Sequence, residues 1–93
     1  MSDVTVDDHP EIERYEVRLD GRRAGLAAYR IDGEVIVFTH TEIDGAYEGQ
    51  GLGGRLARYA LDDARARGLG VKPLCPFIRG WIERHPAYAD LVV

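Results

Sequence analysis

The chain holds one cysteine in 93 residues, Cys75, so no intramolecular disulfide can staple it. It has neither a membrane-length apolar run nor the apolar core of a signal peptide. An excess of basic charge is missing too: the net charge of −4 disfavours binding nucleic acid through a broadly basic surface. A local basic patch stays available, because Arg55, Arg58, Arg65 and Arg67 crowd one predicted helix. The cytoplasm is the expected compartment, and neither membrane nor nucleic acid is an expected partner. What is present is ordinary globular composition, 45% hydrophobic and 30% charged, enough for one domain with a modest core.

Residues 1–10 are polar and acidic without an apolar period and read as a loose terminus, with His9 simply solvated. From Arg14 to Leu19, Tyr15, Val17 and Leu19 alternate with charged residues, the period of a strand with one buried face. Asp20-Gly21 turns the chain. Ala24 to Ile31 is a second strand with Ala27, Tyr29 and Ile31 on one face, and Asp32-Gly33 signals a tight hairpin into a third. That third strand, Glu34 to about Glu42, is apolar on both faces through Val35, Ile36, Val37 and Phe38, and belongs at the centre of the sheet. If it stays regular, His40 and Glu42 share the face of Ile36 and Phe38; a bulge would separate them. The pair could serve as a general base and its orienter, and the alternative for His40 is a satisfied structural residue.

Glu48-Gly49-Gln50-Gly51-Leu52-Gly53-Gly54 stands where the strand pattern gives way to a helical one. Four glycines this close are costly to order, so something requires bare backbone. A pyrophosphate is the physical candidate, because free N–H groups and the positive end of a helix dipole favour an anion. From Gly51 to Arg67, Leu52, Leu56, Ala60, Leu61 and Ala64 make a buried stripe, with Arg55, Arg58, Asp62, Asp63 and Arg65 facing water and Gly68 as the stop. Val71 to Cys75 is a short strand, parallel to the third by a right-handed crossover. Pro76 opens a second helix with Phe77, Ile78, Trp81 and Ile82 on its apolar face, Trp81 being core, and His85-Pro86 ends it. Tyr88 to Val93 forms a last strand or packs down.

Gly49, Gly51 and Gly54 also spell G-x-G-x-x-G, but a dinucleotide fold needs a ribose-binding acid and further βαβ units that this chain lacks. A mononucleotide P-loop fails for want of the Lys and Ser/Thr after the last glycine.

An antiparallel three-strand meander, a glycine loop, a helix and a parallel strand together resemble the GNAT superfamily of acetyl-CoA-dependent N-acetyltransferases, a compact α/β (α+β) fold. Gly51 and Gly53 match the superfamily's coenzyme loop, while Glu48 stands where Gln or Arg is usual, which removes a side-chain contact and leaves the backbone cradle intact. The chain is more similar still to the small YjdJ-like acetyltransferase domains, through His40-Thr41-Glu42-Ile43, Cys75-Pro76-Phe77, Trp81-Ile82 and His85-Pro86-Ala87-Tyr88. The likeness runs from about Val6 to the end, leaving residues 1–5 as a flexible terminus before a single domain, 6–93.

The resemblance implies acetyl-CoA as cosubstrate and no metal. Its pantetheine arm would bond to backbone near Ile43, and its pyrophosphate would meet the N–H groups of Gly49, Gln50, Gly51, Leu52, Gly53 and Gly54, with Arg55 adding charge. The thioester would arrive near Cys75, and an amine, deprotonated by Glu42 directly or through water, would attack it. Cys75, at a helix N-terminus, suits an acetyl-cysteine intermediate as well as a role as a small buried hydrophobe. Tyr88 could protonate the leaving thiolate or be an ordinary core or surface tyrosine. The short Asp20-Gly21 connection leaves no room for the helices that usually build the acceptor site, which favours a protruding amine, a lysine on a peptide or protein or a polyamine. The expected state is a monomer or weak dimer. The rival reading is a non-catalytic acyl-CoA-binding or protein-interaction module on the same fold.

Overall fold

The computed structural model describes residues 3–93. The chain runs β1 (Val4–His9), β2 (Arg14–Leu19), β3 (Arg22–Asp32), β4 (Val35–Ile43), α1 (Leu52–Ala66), β5 (Gly70–Pro73) and α2 (Pro76–Arg84), with short 3-10 turns between and after them. The strands form one sheet in the order β1-β2-β3-β4-β5. The first four are antiparallel and β5 joins β4 in parallel, as the crossover through α1 requires. This is the mixed α/β architecture expected, with one strand more than the expected meander.

The added strand corrects the reading of residues 1–10. Val4–His9 pairs along all of β2, and Val4 and Val6 pack half-buried against the core. Two apolar residues in a run of acids leave too little period to recognise. Met1 and Ser2 lie outside the described residues. His9 is not simply solvated, since its Nε2 lies 2.9 Å from Asp7 Oδ2 and 3.3 Å from Glu16 Oε1.

Both hairpins are tight, and their backbones explain their sequences. Asp20 and Gly21 both adopt positive φ, 51° and 83°, the left-handed pair that an Asp-Gly turn supplies. The second turn sits one residue beyond the expected place, at Gly33-Glu34, because Asp32 still pairs with Val35. Ile31 is 41% exposed rather than buried beside Ala27 and Tyr29, because β3 runs past the edge of the core there.

The α1 face of the sheet is apolar. Leu52, Leu56, Ala57, Ala60, Leu61 and Ala64 pack on Tyr15, Val17, Tyr29, Ile36 and Phe38. Two tyrosines tie strands and helix together at the far end of α1: Tyr15 donates to Asp63 at 2.6 Å and Tyr29 to Asp8 at 2.7 Å. Burial first, and then the neighbouring carboxylates, raise both phenols well above their ordinary range. Arg67 lies between the two acids, 3.5 Å from Asp63 and 3.6 Å from Asp8. Asp63 is thus half-buried and occupied, not simply facing water.

The sheet face away from α1 is polar. Glu16 is buried there, and Arg14 and Arg18 each reach it at 2.7 Å. Burial pushes its carboxyl up, but the bond and charge of Arg14, with His9 and Arg18, outweigh that and hold it below its ordinary value. Folding reduces the basic patch expected on α1 to two of its four arginines. Arg65 makes a two-pronged pair with Asp90 at 2.9 Å and Arg67 is held as above, so Arg55 and Arg58 remain. After α2, the 3-10 turn Pro86–Leu91 packs down, and Val92 makes a single parallel bridge to Val71, so of the two outcomes expected for the C-terminus it packs down and forms no further strand of the sheet.

Candidate active site

The site forms where β4 loses a neighbour. Its first half, Val35 to Phe38, pairs with β3 on one side and β5 on the other. Leu74 and Cys75 both donate their N–H to the Phe38 carbonyl, at 3.1 and 3.0 Å, and end the contact with β5. From Thr39 to Ile43 the outer edge of β4 has no strand beside it. Backbone donors and acceptors left on such an edge are available to a ligand.

A bulge in the same place sets which side chains reach the opening. Tyr29 pairs with Phe38 but Ala28 pairs with His40, so Thr39 is an extra residue and the alternation shifts by one. This corrects the regular-strand expectation: His40 and Glu42 stand on the polar face, away from Ile36 and Phe38. They remain together, His40 Nε2 and Glu42 Oε1 being 3.3 Å apart, with side chains 60% and 62% exposed. Thr41 takes the α1 side, where its Oγ1 lies 3.2 Å from Cys75 Sγ across the opening.

Cys75 sits at the N-cap of α2, as expected, but it is buried, 3% exposed, with its thiol against Thr41. The side chains on either side of it are more open. Leu74 and Phe77, one residue before and two after Cys75, are 48% and 38% exposed, two large apolar groups left open to solvent. Sequence reasoning assigned neither to the site, because exposure of an apolar residue leaves no mark on its pattern. Tyr88 is largely buried, and its hydroxyl donates to Asp62 at 2.7 Å, which raises its pKa. Trp81 is core, at 4% exposure.

The glycine loop begins after the short 3-10 turn Gly45–Tyr47, whose Asp44 cap accepts from Ala46 N–H. Gly49 and Gly51 take φ of 84° and 72°, where a side chain costs about 1–2 kcal/mol, and a Cβ on either would meet nothing within 4 Å. Gly51 caps α1 with no side-chain bond. The first helical bond is Arg55 N–H to the Gly51 carbonyl, so the N–H groups of Leu52, Gly53 and Gly54 find no acceptor among the described residues. Open space, free donors and the dipole of a 15-residue helix converge there.

The glycines are not all bare for one reason. A Cβ on Gly53 would stand 2.8 Å from Phe77 Cζ, so Gly53 makes room for that ring and couples the loop to the start of α2 beside Cys75. Gly54 would meet only Trp81 Nε1 at an ordinary 3.5 Å. A glycine that drew no notice in the sequence is the most confined: at Gly25 a Cβ would lie 2.5 Å from the Glu42 carbonyl and 2.6 Å from Ile43 Cδ1. Gly25 therefore lets the open half of β4 lie close against β3, and Asp44 N–H is anchored to the Ala24 carbonyl at 2.8 Å. Arg55 is exposed at the first turn of α1. No group of three or more His, Cys, Asp or Glu side chains arranged for a metal occurs among the described residues.

Where β4 parts from its parallel partner, an open strand edge lies beside an uncapped, glycine-rich helix start, and known proteins give the class to which this arrangement belongs. The sequence profile of the GCN5-related N-acetyl-transferase family matches residues 14–91. The chain belongs to that family. Protein NATD1 of Mus musculus is 28% identical over 85 residues, covering 89% of this chain and 77% of its own length. Protein NATD1 of Homo sapiens is 31% identical over 75 residues, covering 78% of this chain and 66% of its own. The solution structure of a GCN5-like protein from Staphylococcus aureus superposes with a TM-score of 0.75 at 22% identity, over all of this chain and 91% of that one, and shares its fold. The family match starts at β2, leaving out β1.

Proposed function

We propose that this protein transfers the acetyl group of acetyl-CoA to a primary amine, an exposed lysine on a peptide or protein or a polyamine, by direct attack on the thioester. The observation that carries the reading is the uncapped first turn of α1 set beside the open half of β4, in a member of the GCN5-related family. Bound acetyl-CoA would supply an acyl group activated as a thioester.

The residues fit that ligand. The free N–H groups of the Gly49–Gly54 loop, aided by Arg55, suit a pyrophosphate. The open edge of β4 near Ile43 suits the amides of a pantetheine arm, and Leu74 and Phe77 suit its apolar part. On the polar face, Glu42, with His40 beside it, would take a proton from an incoming ammonium, leaving the neutral amine that attack requires. A strand N–H of the open edge would hold the developing oxyanion. Cys75, buried and bonded to Thr41, favours transfer without an acetylated cysteine. The two-residue Asp20-Gly21 connection leaves the polar face free for a protruding substrate.

The test pairs acetyl-CoA binding with release of free thiol, using lysine peptides and polyamines as acceptors and Gly51→Val as the blocked control. Amine-dependent release that disappears with binding in the control supports the transferase. Tight binding with no release from any amine would favour an acyl-CoA-binding module instead, and absence of binding would overturn the reading of the loop.

A further inference from the structure

The buried faces of α1 and α2 join one core on the α1 side of the sheet, and the polar face is left with charges that do not balance. Strand pairing sets Arg30 of β3, Val37 of β4 and Lys72 of β5 in one row, Arg30 against Val37 and Val37 against Lys72. Their chain neighbours Tyr29, Ile36, Phe38 and Val71 are in the core, so the row belongs to the polar face. Val37 is nevertheless only 1% exposed, while Arg30 and Lys72 are open to solvent. The aliphatic stems of the two flanking cations shield it and leave their charged ends in water.

The other cations of this face are engaged. Arg14 and Arg18 each reach Glu16 at 2.7 Å, and Arg23 lies 3.8 Å from it. Arg30 and Lys72 have no ion-pair partner among the described residues, and Asp32, next on that face of β3, pairs with neither. The two stand at the closed end of the opening: Lys72 lies just before Leu74 and Cys75, where the chain leaves β4. His40 and Glu42 follow Val37 on the same face, about 10 and 16 Å of extended chain further along β4.

An amine that approaches Glu42 from this face carries the groups flanking it past two unneutralised cations. A carboxylate there is attracted and a second ammonium repelled. We propose that Arg30 and Lys72 hold an acidic side chain of the acceptor, so that the substrate is a peptide or protein lysine with Asp or Glu about three residues away, and not a polyamine. This rests on the transferase reading and narrows its acceptor.

The experiment compares steady-state turnover by the intact chain and by an Arg30→Gln/Lys72→Gln variant whose fold is checked by circular dichroism. The acceptors are a terminally blocked peptide with one lysine and a glutamate three residues to either side, the same peptide with glutamine at those places, and spermidine. The intact chain should show kcat/KM about tenfold higher for the glutamate peptide than for the glutamine peptide at low salt, through KM, with spermidine below both. The double variant should treat the two peptides alike and keep its affinity for acetyl-CoA. Equal turnover of the two peptides by the intact chain, or spermidine preferred to the glutamate peptide, would overturn the assignment and leave the transferase standing. A glutamate preference that survives in the double variant would overturn it also, placing the acid elsewhere. Binding of acetyl-CoA without turnover of any acceptor would sink the transferase reading and this one together.

Discussion

The two halves of β4 are made from one strand and do different things. Val35 to Phe38 is hydrogen-bonded on both sides, and Ile36, Val37 and Phe38 are buried. Thr39 to Ile43 is bonded on one side only, and His40 and Glu42 stand in solvent. The boundary is a single inserted residue, Thr39, opposite the point where β5 turns away into Leu74 and Cys75. The first half makes the fold stable, and the second exposes backbone that the fold leaves unspent. The difference shows that a site need not be added to this sheet; it is what remains when one strand outlasts its neighbour.

The sharpest way to break the contrast is at Gly25, where β3 admits the open half. Gly25→Ala should destabilise the protein by about 3 kcal/mol, read from the midpoint of urea unfolding, because the added methyl meets the backbone carbonyl of Glu42. Next is the chemistry assigned to the open half. Glu42→Gln should lower amine-dependent turnover about 100-fold with little change in acetyl-CoA affinity, as expected for loss of a general base. Equal turnover in the variant would assign the proton to another group.

The polar face gives the third test. Glu16→Gln should cost about 2 kcal/mol, less than a fully buried pair, because Arg14 and Arg18 can return to water. The pH dependence carries its own sign. Glu16 has a folded pKa below its unfolded value, so its contribution is present above the unfolded pKa near 4.5 and is lost as pH falls through the lower folded value. The acid limb of the stability curve should therefore be flatter in the glutamine variant.

Gly54→Ala should move in the opposite direction and stabilise the chain by about 0.5 kcal/mol, since Trp81 leaves room and alanine suits a helix better. The same change should weaken acetyl-CoA binding, measured by titration, because packing gives no reason for glycine there. The smallest effect belongs to Cys75→Ala, which should leave turnover within about twofold if the thiol only packs against Thr41. Loss of turnover in that variant would restore the acetyl-cysteine route.

How much of this was legible in sequence follows from what each feature needs. β2 and α1 announced themselves because their buried residues recur at periods of two and 3.6, and β4 because its apolar run Val35 to Phe38 suits a strand covered on both faces. β1 did not, because only Val4 and Val6 of its six residues touch the core and register with β2 does the rest. The loop was visible as glycine, but its reasons were mixed: positive φ at Gly49 and Gly51, a neighbouring ring at Gly53, and neither at Gly54. The bulge at Thr39 was invisible, since an inserted residue changes which face a side chain takes without changing its identity. That one shift carried His40 and Glu42 to the polar face and Thr41 to the α1 side, and so gave each face of the opening its own chemistry. Gly25 and Phe77 were missed for a related reason, their partners being distant in the chain.

The strict sequential order of the sheet bears on when the site comes into being. β1 to β4 can zip together pair by pair through connections of two to four residues, each closing a short loop. β5 alone must wait for the whole of α1 before it can dock, and it docks with only four residues. The splay is thus assembled by the slowest and most weakly secured contact in the sheet. Amides of Gly70, Val71 and Lys72 should exchange with solvent deuterons sooner than those of β2 and β3, and ligand that spans the opening should slow them.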